Sequence, residues 1–428
     1  MGVRFDLNPY RLRSPARLRG RAGLTAVDLF SGAGGITLGL LNSGFNVVYC
    51  ADIDAACEAT HRRNFPEIPF ARTDIETIKG ADILRHAGLR RGELDLLIGG
   101  PPCQGFSILG QRQIWDPRNG LFHEFLRIAK DLKPKCLVIE NVTGLATLDG
   151  GTVLREIGRA FSDAGYTIEC AELLAAQYGV PQMRWRMFFI GWRLDQGKRG
   201  GFPVPTHGKT GVGDLVPNRP ITLAESAGFV TIREAIGDLP AIRAGELGTG
   251  YRRSPRGDYQ AAMREDALQT LSNHYAPRLS EQNITRLRAL RPGQDWRDLP
   301  PHLLPASMRR ALRKDHTRRY RRMKWQGIAR TIITRFRDPK SGEYTHPNQH
   351  RTISIREAAR IQSFPDWFVF EGTYSQQYDQ VGNAVPPLLA KAVGAKLHEM
   401  LKAKAIAQPS QVKSRYVIPA ALDLAVTV

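Results

Sequence analysis

Apolar residues follow two different patterns along this 428-residue chain. In the first half they form short unbroken runs. LTAVDLF (24–30), NVVYCADID (46–54), LDLLIGG (94–100), CLVIENV (136–142) and MFFIGW (187–192) each read as a buried strand. Helical stretches separate them, ITLGLLNSG after the first and AACEATHRRN after the second. Such alternation predicts an α/β fold: a doubly wound, mostly parallel sheet with helices on both faces. Ligands of these sheets bind at the carboxyl ends of the strands. The segment Asp28 to Gly35, together with Asp52, Asp74, Cys103 and Glu140, falls there.

The pattern changes after FPVPTHG (202–208). Residues 209–350 are rich in Arg, Gly and Pro, with weak periodicity, and predict a smaller, irregular domain. Regular structure returns at TISIREAARIQSF (352–364), a helix opened by Ser354, and at QVGNAVPPLLAKAVGAKLHEMLKAKA (380–405), an amphipathic helix after a Pro-Pro start. The expected layout is a flexible basic extension over 1–22, a first domain over 23–207 and a second over 208–350. A junction segment over 351–375, a returning helix over 376–405 and a loose tail over 406–428 complete it.

Charge sharpens this picture. The chain carries a formal +20, and residues 241–340 hold 23 Lys and Arg against 9 Asp and Glu. That density points to a polyanion, nucleic acid above all. Within it, MRRALRKDHTRRYRRMKW (308–325) interleaves Tyr320 and Trp325 with cations suited to phosphate and base contacts. No apolar run is long enough to span a bilayer and no signal-peptide pattern occurs, so no membrane association is expected. Five widely spaced cysteines without a C-x-x-C pair argue against disulfides and against a metal, and suggest a reducing cytoplasm.

Several blocks suggest chemistry. DLFSGAGGITLGL (28–40) is a strand, a glycine turn and a helix start, where Gly32, Gly34 and Gly35 let backbone approach a ligand. Thr37 stands where a dinucleotide fingerprint needs its third glycine, which disfavours a pyrophosphate cofactor. Asp52 ends the next strand and suits ribose hydroxyls. In IGGPPCQGFS (98–107), two prolines stiffen the loop before Cys103, which is either packing filler or a presented nucleophile. Glu140 ends a buried strand and is either an acid or a structural cap. Gln182, Arg184 and Arg186 stand two apart, which on one strand puts them on one face.

In this order, DLFSGAGG, GGPPCQGFS, ENV, QYGVPQMRWR, RTISIREAARIQSFP and QVGNAVPP resemble the DNA cytosine-5 methyltransferases, particularly the bacterial restriction–modification enzymes. The blocks span 28 to 387, most of the chain. The resemblance implies the S-adenosylmethionine-dependent methyltransferase fold, S-adenosylmethionine as donor, double-stranded DNA as partner and a flipped-out cytosine as acceptor. It makes Cys103 the nucleophile toward C6 and Glu140 the group that protonates N3. Arg186 would hold the cytosine carbonyl, with Arg184 nearby. Phe30 would stack on adenine, Asp52 would bind ribose and Asp74 would lie near the adenine amino group. Gly32, Gly34, Gly35, Ile53, Ile75, Pro102, Asn383 and Val385 would complete the donor site. Gln104, Ser107, Gln182, Arg318, Arg319, Arg321, Arg322 and Lys324 would contact DNA. A monomeric cytoplasmic enzyme, working beside a cognate endonuclease, is the expected setting. The segment IARTIITRF (328–336) departs from the family's more regular PSPTIT-like pattern, which bears on target sequence. A transfer-RNA methyltransferase of the same fold is disfavoured by QGFS after the cysteine. A catalytically dead homologue is disfavoured by the joint presence of Cys103, Glu140, Arg184 and Arg186.

Overall fold

The computed structural model describes residues 8–18, 23–102, 120–143, 145, 152–198, 200–208, 228–251, 253–267, 270–305, 308 and 318–403. The chain divides into two compact units. A sheet unit comprises residues 15–174, 185–205 and 389 onward, and a loop-rich unit comprises 1–14, 175–184 and 206–388.

The apolar runs become strands: β1 (Leu24–Leu29), β2 (Phe45–Asp52), β3 (Phe70–Arg72), β4 (Leu96–Gly99), β5 (Cys136–Asn141), β6 (Glu169–Leu174), β7 (Gln182–Met183) and β8 (Trp185–Trp192). All but β7 join one seven-stranded sheet in the order β3-β2-β1-β4-β5-β8-β6. β1 to β5 are parallel. β8 runs antiparallel between β5 and β6. The expected doubly wound, mostly parallel sheet is therefore present, and β4 and β5 at its centre are buried at every position. β3 and β6 escaped the sequence reading because FAR is short and ECAELL mixes polar with apolar positions.

Helices α1 (Gly35–Asn42), α2 (Ala55–Asn64), α3 (Gly80–Ala87), α4 (Gly120–Leu132) and α5 (Thr152–Asp163) belong to the same unit. α4 buries Phe122, Phe125, Leu126, Ile128, Ala129 and Leu132, a spacing of three and four that makes one apolar face. This face joins Val27, Leu29, Leu97, Leu137 and Ile139 in one core. Each fully buried Phe or Leu there contributes about 1.5–3 kcal/mol.

The loop-rich unit carries α6 (Ile232–Ile236), α7 (Asp258–Arg264), α8 (Glu281–Arg288), α9 (Ile355–Ile361), α10 (Tyr374–Asn383) and the short strand β9 (Ala329–Arg330), which pairs with β7. α9 opens at Ser354, whose side chain accepts from the Glu357 amide while the Glu357 carboxylate accepts from the Ser354 amide. Buried arginines hold the interior. Arg360 is fully buried between Asp366 (Nη2–Oδ2 2.6 Å) and Asp238 (Nη1–Oδ1 2.5 Å). Arg351 makes a fork-to-fork pair with Glu357, at 2.6 and 2.8 Å. Arg356 donates to the carbonyls of Ser272, Pro365 and Phe368 at 2.6–3.0 Å.

Two expectations at the chain ends need correction. Residues 8–14 are not a free extension. Leu12 is buried and its carbonyl accepts from Trp367 Nε1 at 3.2 Å. Tyr10 Oη lies 2.9 Å from His207 Nε2, Asn8 Nδ2 donates to the Asp258 carbonyl at 3.1 Å, and Arg11 pairs with Glu265. Leu12 and Tyr10 inside the basic stretch do this anchoring together with polar contacts from Asn8 and Arg11. The returning segment 376–405 holds two helices, and the amphipathic one begins at the Pro-Pro pair as expected. α10 stops at Asn383 because Pro386 and Pro387 cannot continue it, and Ala384 turns extended (ψ 145°). α11 (Pro387–Lys402) then starts with a proline in its first turn. α11 packs so tightly on α1 that a Cβ on Gly39 would lie 2.4 Å from the Ala390 Cβ.

Replacing Arg360 by Met should lower the unfolding free energy by about 3–5 kcal/mol, because it removes the best-aligned partner of two buried carboxylates. Arg360→Lys should recover less than half of this, since one ammonium lacks the planar fork that meets both. Urea unfolding of the two variants checks this. A loss below about 1 kcal/mol for Arg360→Met would show that the pairs do not hold the unit.

Candidate active site

At the carboxyl end of β1 the chain makes a strained turn. Phe30, half-buried, has φ 57°, a value bulky side chains avoid. Gly32 and Gly34 follow at φ 51° and 93°, and Gly35 starts α1. The Ser31 hydroxyl donates to the Asp28 carbonyl at 2.7 Å. The Gly32 amide donates to Asp52 Oδ2 at 2.8 Å, which ties the turn to the end of β2. A Cβ on Gly34 would lie 2.6 Å from the Phe65 ring, so only glycine fits, whereas the Cβ side of Gly32 is open.

Asp52 also accepts from the Asp54 amide at 3.0 Å. Burial pushes its carboxyl up, and these amide bonds work against that shift. Next to it Ile53 is 69% exposed, an unusual position for so apolar a side chain. Asp74 is exposed and caps a short turn by accepting from the Glu76 amide at 3.1 Å. Ile75 is a correction. Its side chain, expected at the donor, is buried in the sheet-unit core.

Glu140 sits at the end of β5, 8% exposed. Arg186 on the antiparallel strand β8 reaches it, Nε to Oε1, at 2.7 Å. Burial pushes the Arg186 guanidinium down and the Glu140 charge opposes this. A Cβ on Gly100 would lie 3.2 Å from Glu140 Oε2, so glycine there gives the carboxylate room. Asn141 Nδ2 donates to the Pro101 carbonyl at 3.0 Å, pinning the start of the Pro-Pro loop. Pro102 is exposed. Cys103, Gln104 and Ser107 lie outside the described residues. Val142, 52% exposed, was not singled out from the sequence, where it looks like one more strand residue.

The shared face expected for Gln182, Arg184 and Arg186 does not form. The strand breaks between β7 and β8 where the Arg184 amide turns back to the Gln182 carbonyl at 2.9 Å. Arg186 remains with Glu140. Arg184 is 1% exposed and donates to the carbonyls of Ile332 (2.8 Å) and Gly382 (3.1 Å) within the loop-rich unit. Gln182 is fully buried and exchanges hydrogen bonds with Gln362 and the Ile332 amide, both at 2.9 Å. Gln182, expected at the DNA, and Arg184, expected near the cytosine carbonyl beside Arg186, are thus both buried in the loop-rich unit. Asn383, at the end of α10, is exposed and Val385 is buried.

The basic run also splits. Arg318 is 43% exposed and Arg321 21%, while Arg319 is half-buried and Lys324 exposed. Arg322 is 2% exposed and donates to the carbonyls of Leu290, His346 and Gln349 at 2.7–2.8 Å. Burial pushes its guanidinium down to about 10. It is structural and not a DNA contact. Tyr320 is a core residue whose hydroxyl donates to Asn283, so it offers no stacking face.

Beneath the glycine turn lies a buried polar layer that only Asp28, inside an otherwise apolar strand, signals in the sequence. The Thr37 hydroxyl donates to Asp28 Oδ2 at 2.7 Å. Asp28 Oδ1 is buried without a hydrogen-bond partner, and burial pushes this carboxyl up to about 7. No group of three or more metal-ligating side chains exists among the described residues, and no helix among them is long and apolar enough to cross a membrane.

The sequence profile of C-5 cytosine-specific DNA methylases matches residues 24–399. The chain is 36% identical to the type II methyltransferase M1.HphI of Haemophilus parahaemolyticus, over 88% of this chain and 87% of that one. It is 32% identical to the type II methyltransferase M.AgeI of Thalassovita gelatinovora, over 86% of this chain and 98% of that one. Its fold is similar to a crystal structure described as a prophage-encoded DNA modification methyltransferase of E. coli. That pair has a TM-score of 0.65 at 26% identity, with 89% of this chain and all of that one covered.

Because the Asp28 carboxyl is raised, its stabilising contribution is full below about 3.8 and is lost as pH climbs to about 7. Asp28→Asn keeps an acceptor for Thr37 and carries no charge. It should remove a fall in stability on the order of a few kcal/mol across that window. Urea unfolding of both proteins at the two ends of the window checks this, and parallel pH profiles would refute it.

Proposed function

The chain belongs to the C-5 cytosine-specific DNA methylase family, and from that premise we propose that it methylates C5 of a cytosine flipped out of a specific duplex DNA sequence. The observation that carries the reading is the buried Glu140–Arg186 pair at the start of the Gly100–Pro102 loop, inside a family match that spans most of the chain.

S-adenosylmethionine is the proposed donor. The residues fit it: Ile53 exposes an apolar face beside Asp52, and Gly32 borders open space. Phe30 would hold the adenine, Asp52 the ribose hydroxyls, and Asp74 the adenine amino group. When bound, this group supplies a methyl on a sulfonium, an electrophile.

The chain's own residues prepare the acceptor. The Cys103 thiolate adds to C6 of cytosine while Glu140 moves a proton onto N3. C5 thereby gains the electron density needed to take the methyl. A base then removes the C5 proton, the electrons return to the ring, the Cys103–C6 bond breaks to restore the thiolate, and the N3 proton returns to Glu140. Arg186 fixes the Glu140 carboxylate through Oε1, and glycine at position 100 puts no side chain against Oε2. The other cysteines are poor candidates for the thiolate. Cys50, Cys57, Cys136 and Cys170 are buried, and burial pushes each thiol far up, Cys170 to about 12. Extrusion of the base gives these groups access to an atom that the duplex hides. Target choice is assigned to the basic region, by base-edge contacts in the major groove. A cytoplasmic monomer protecting DNA from a cognate endonuclease is the proposed setting.

Two outcomes test the chemistry. Glu140→Gln keeps the shape but cannot deliver a proton, so kcat should fall by about 10²–10⁴. Near-normal turnover would remove Glu140 from the mechanism. Fluorine at C5 cannot leave as a cation, so a duplex with 5-fluorocytosine at the target should trap the protein. The adduct should have the mass of protein, DNA and one methyl group, and Cys103→Ser should abolish it. An adduct that survives in Cys103→Ser, or that maps to another cysteine, would overturn the covalent step.

A further inference from the structure

Arginines of the loop-rich unit fall into two populations. Arg351, Arg356, Arg360 and Arg322 are at most 2% exposed, and each guanidinium makes several aligned bonds shorter than 3.1 Å. They are satisfied and inaccessible. Around Glu343 the arrangement differs. Arg321 Nε stands 3.1 Å from Glu343 Oε2, and Arg318 Nη1 stands 3.6 Å from the same oxygen. The Arg321 contact is not aligned as a hydrogen bond, since Arg321 Nε and Glu343 Oε2 have no hydrogen-bond partner, and Arg318 Nη1 stands beyond hydrogen-bond distance of that oxygen. Both arginine side chains keep part of their surface in solvent, at 43% and 21% exposure, while the glutamate side chain is 11% exposed.

Charge at this place is unbalanced. Arg321 Nη1 also leans on Asp295 Oδ2 at 3.4 Å, but Asp295 is already taken by Arg297 in a fork-to-fork pair at 2.6 and 2.9 Å. Arg330 on β9 feels the same charges: burial and Arg318 push its guanidinium down while Glu343 pulls it up. Among the described residues, three guanidiniums, of Arg297, Arg318 and Arg321, share the Asp295 and Glu343 carboxylates, with Arg330 in their field. Burial keeps Glu343 above the ordinary carboxylate range even beside Arg321, Arg318 and Arg330. One buried carboxylate, poorly aligned, is thus holding arginines that a tetrahedral oxyanion would hold better, since a phosphate offers several oxygens to each planar fork.

We propose that this cluster is an exchange site for a backbone phosphate of duplex DNA, in which Glu343 holds Arg318 and Arg321 in the free protein and yields them when the duplex arrives. Glu343 is then a positioning residue with a second effect. It weakens the grip on every duplex by the work of parting the arginines from it, so indiscriminate binding is held down. The inference rests on the reading of DNA as substrate.

The test uses the full chain and a fluorescent alternating dA–dT duplex, which has no cytosine and so isolates backbone binding. Loss of one partner of a merely structural pair should weaken both stability and binding. The exchange predicts the opposite for binding: Glu343→Gln should hold this duplex about threefold tighter, the worth of one phosphate contact over a modest salt range, with a steeper log–log salt slope. Arg318→Ala should flatten the slope by about 0.9. Arg321→Ala should cost more affinity in the Glu343→Gln background than in the unaltered protein. Equal or weaker binding by a folded Glu343→Gln protein overturns the proposal. If that variant fails to fold, the exposed Arg318 decides alone, and an unchanged slope in Arg318→Ala overturns it. Displacement of the duplex by inorganic phosphate at constant ionic strength, lost in Arg318→Ala, would reassign the cluster to a free anion and also overturn it. Methyl transfer to cytosine-containing duplexes is measured alongside. Its absence in the unaltered protein would overturn the DNA reading itself, whereas its presence with no gain in Glu343→Gln would overturn only the exchange.

Discussion

Guanidinium groups shut away from solvent are what the loop-rich unit depends on. Its chain is mostly loop, and loop carbonyls buried without donors would each be costly. A sheet solves that problem with a ladder. Here planar side chains with five donors solve it. Arg356 gathers the carbonyls of Ser272, Pro365 and Phe368, Arg322 those of Leu290, His346 and Gln349, and Arg184 those of Ile332 and Gly382. Arg360 adds charge pairing with Asp238 and Asp366. Each of these charges is expensive to bury alone, so every one arrives with its partners.

The sheet unit is built on the opposite plan. Its ladder satisfies the backbone internally, and the strand ends are free for chemistry. Glu140 and Asp52 stand at such ends, and the glycine turn after β1 is held by amide bonds to Asp52 and Ser31 and by the close fit of Gly34 against Phe65. The reversal of β8 matters most. Because it runs antiparallel to β5, Arg186 comes up beside Glu140 and balances its charge in the interior. A parallel crossover would need a longer connection to place an arginine there.

The same residue type therefore serves different ends, and alignment and access decide which. Arg322 and Arg321 are neighbours in the chain. One is folded into carbonyls on all sides, and the other rests half-engaged against Glu343 and Asp295. Net charge alone does not separate them.

Local rules made much of this protein legible from its residues. Unbroken apolar runs mark β1, β2, β4, β5 and β8, because central strands are buried on both faces. Ser354 and Glu357 mark a helix start, and the glycines after Phe30 mark a turn that side chains would obstruct. The ordered motif blocks located the family and the candidate site. Three-dimensional packing decided the rest: that Arg184 and Gln182 turn inward, that Ile75 and Tyr320 join cores, and that residues 8–14 are anchored. The reason is physical. A charged side chain is judged by the groups it meets, and Arg360 meets Asp238 across 122 residues of chain, a distance over which spacing and periodicity carry no information.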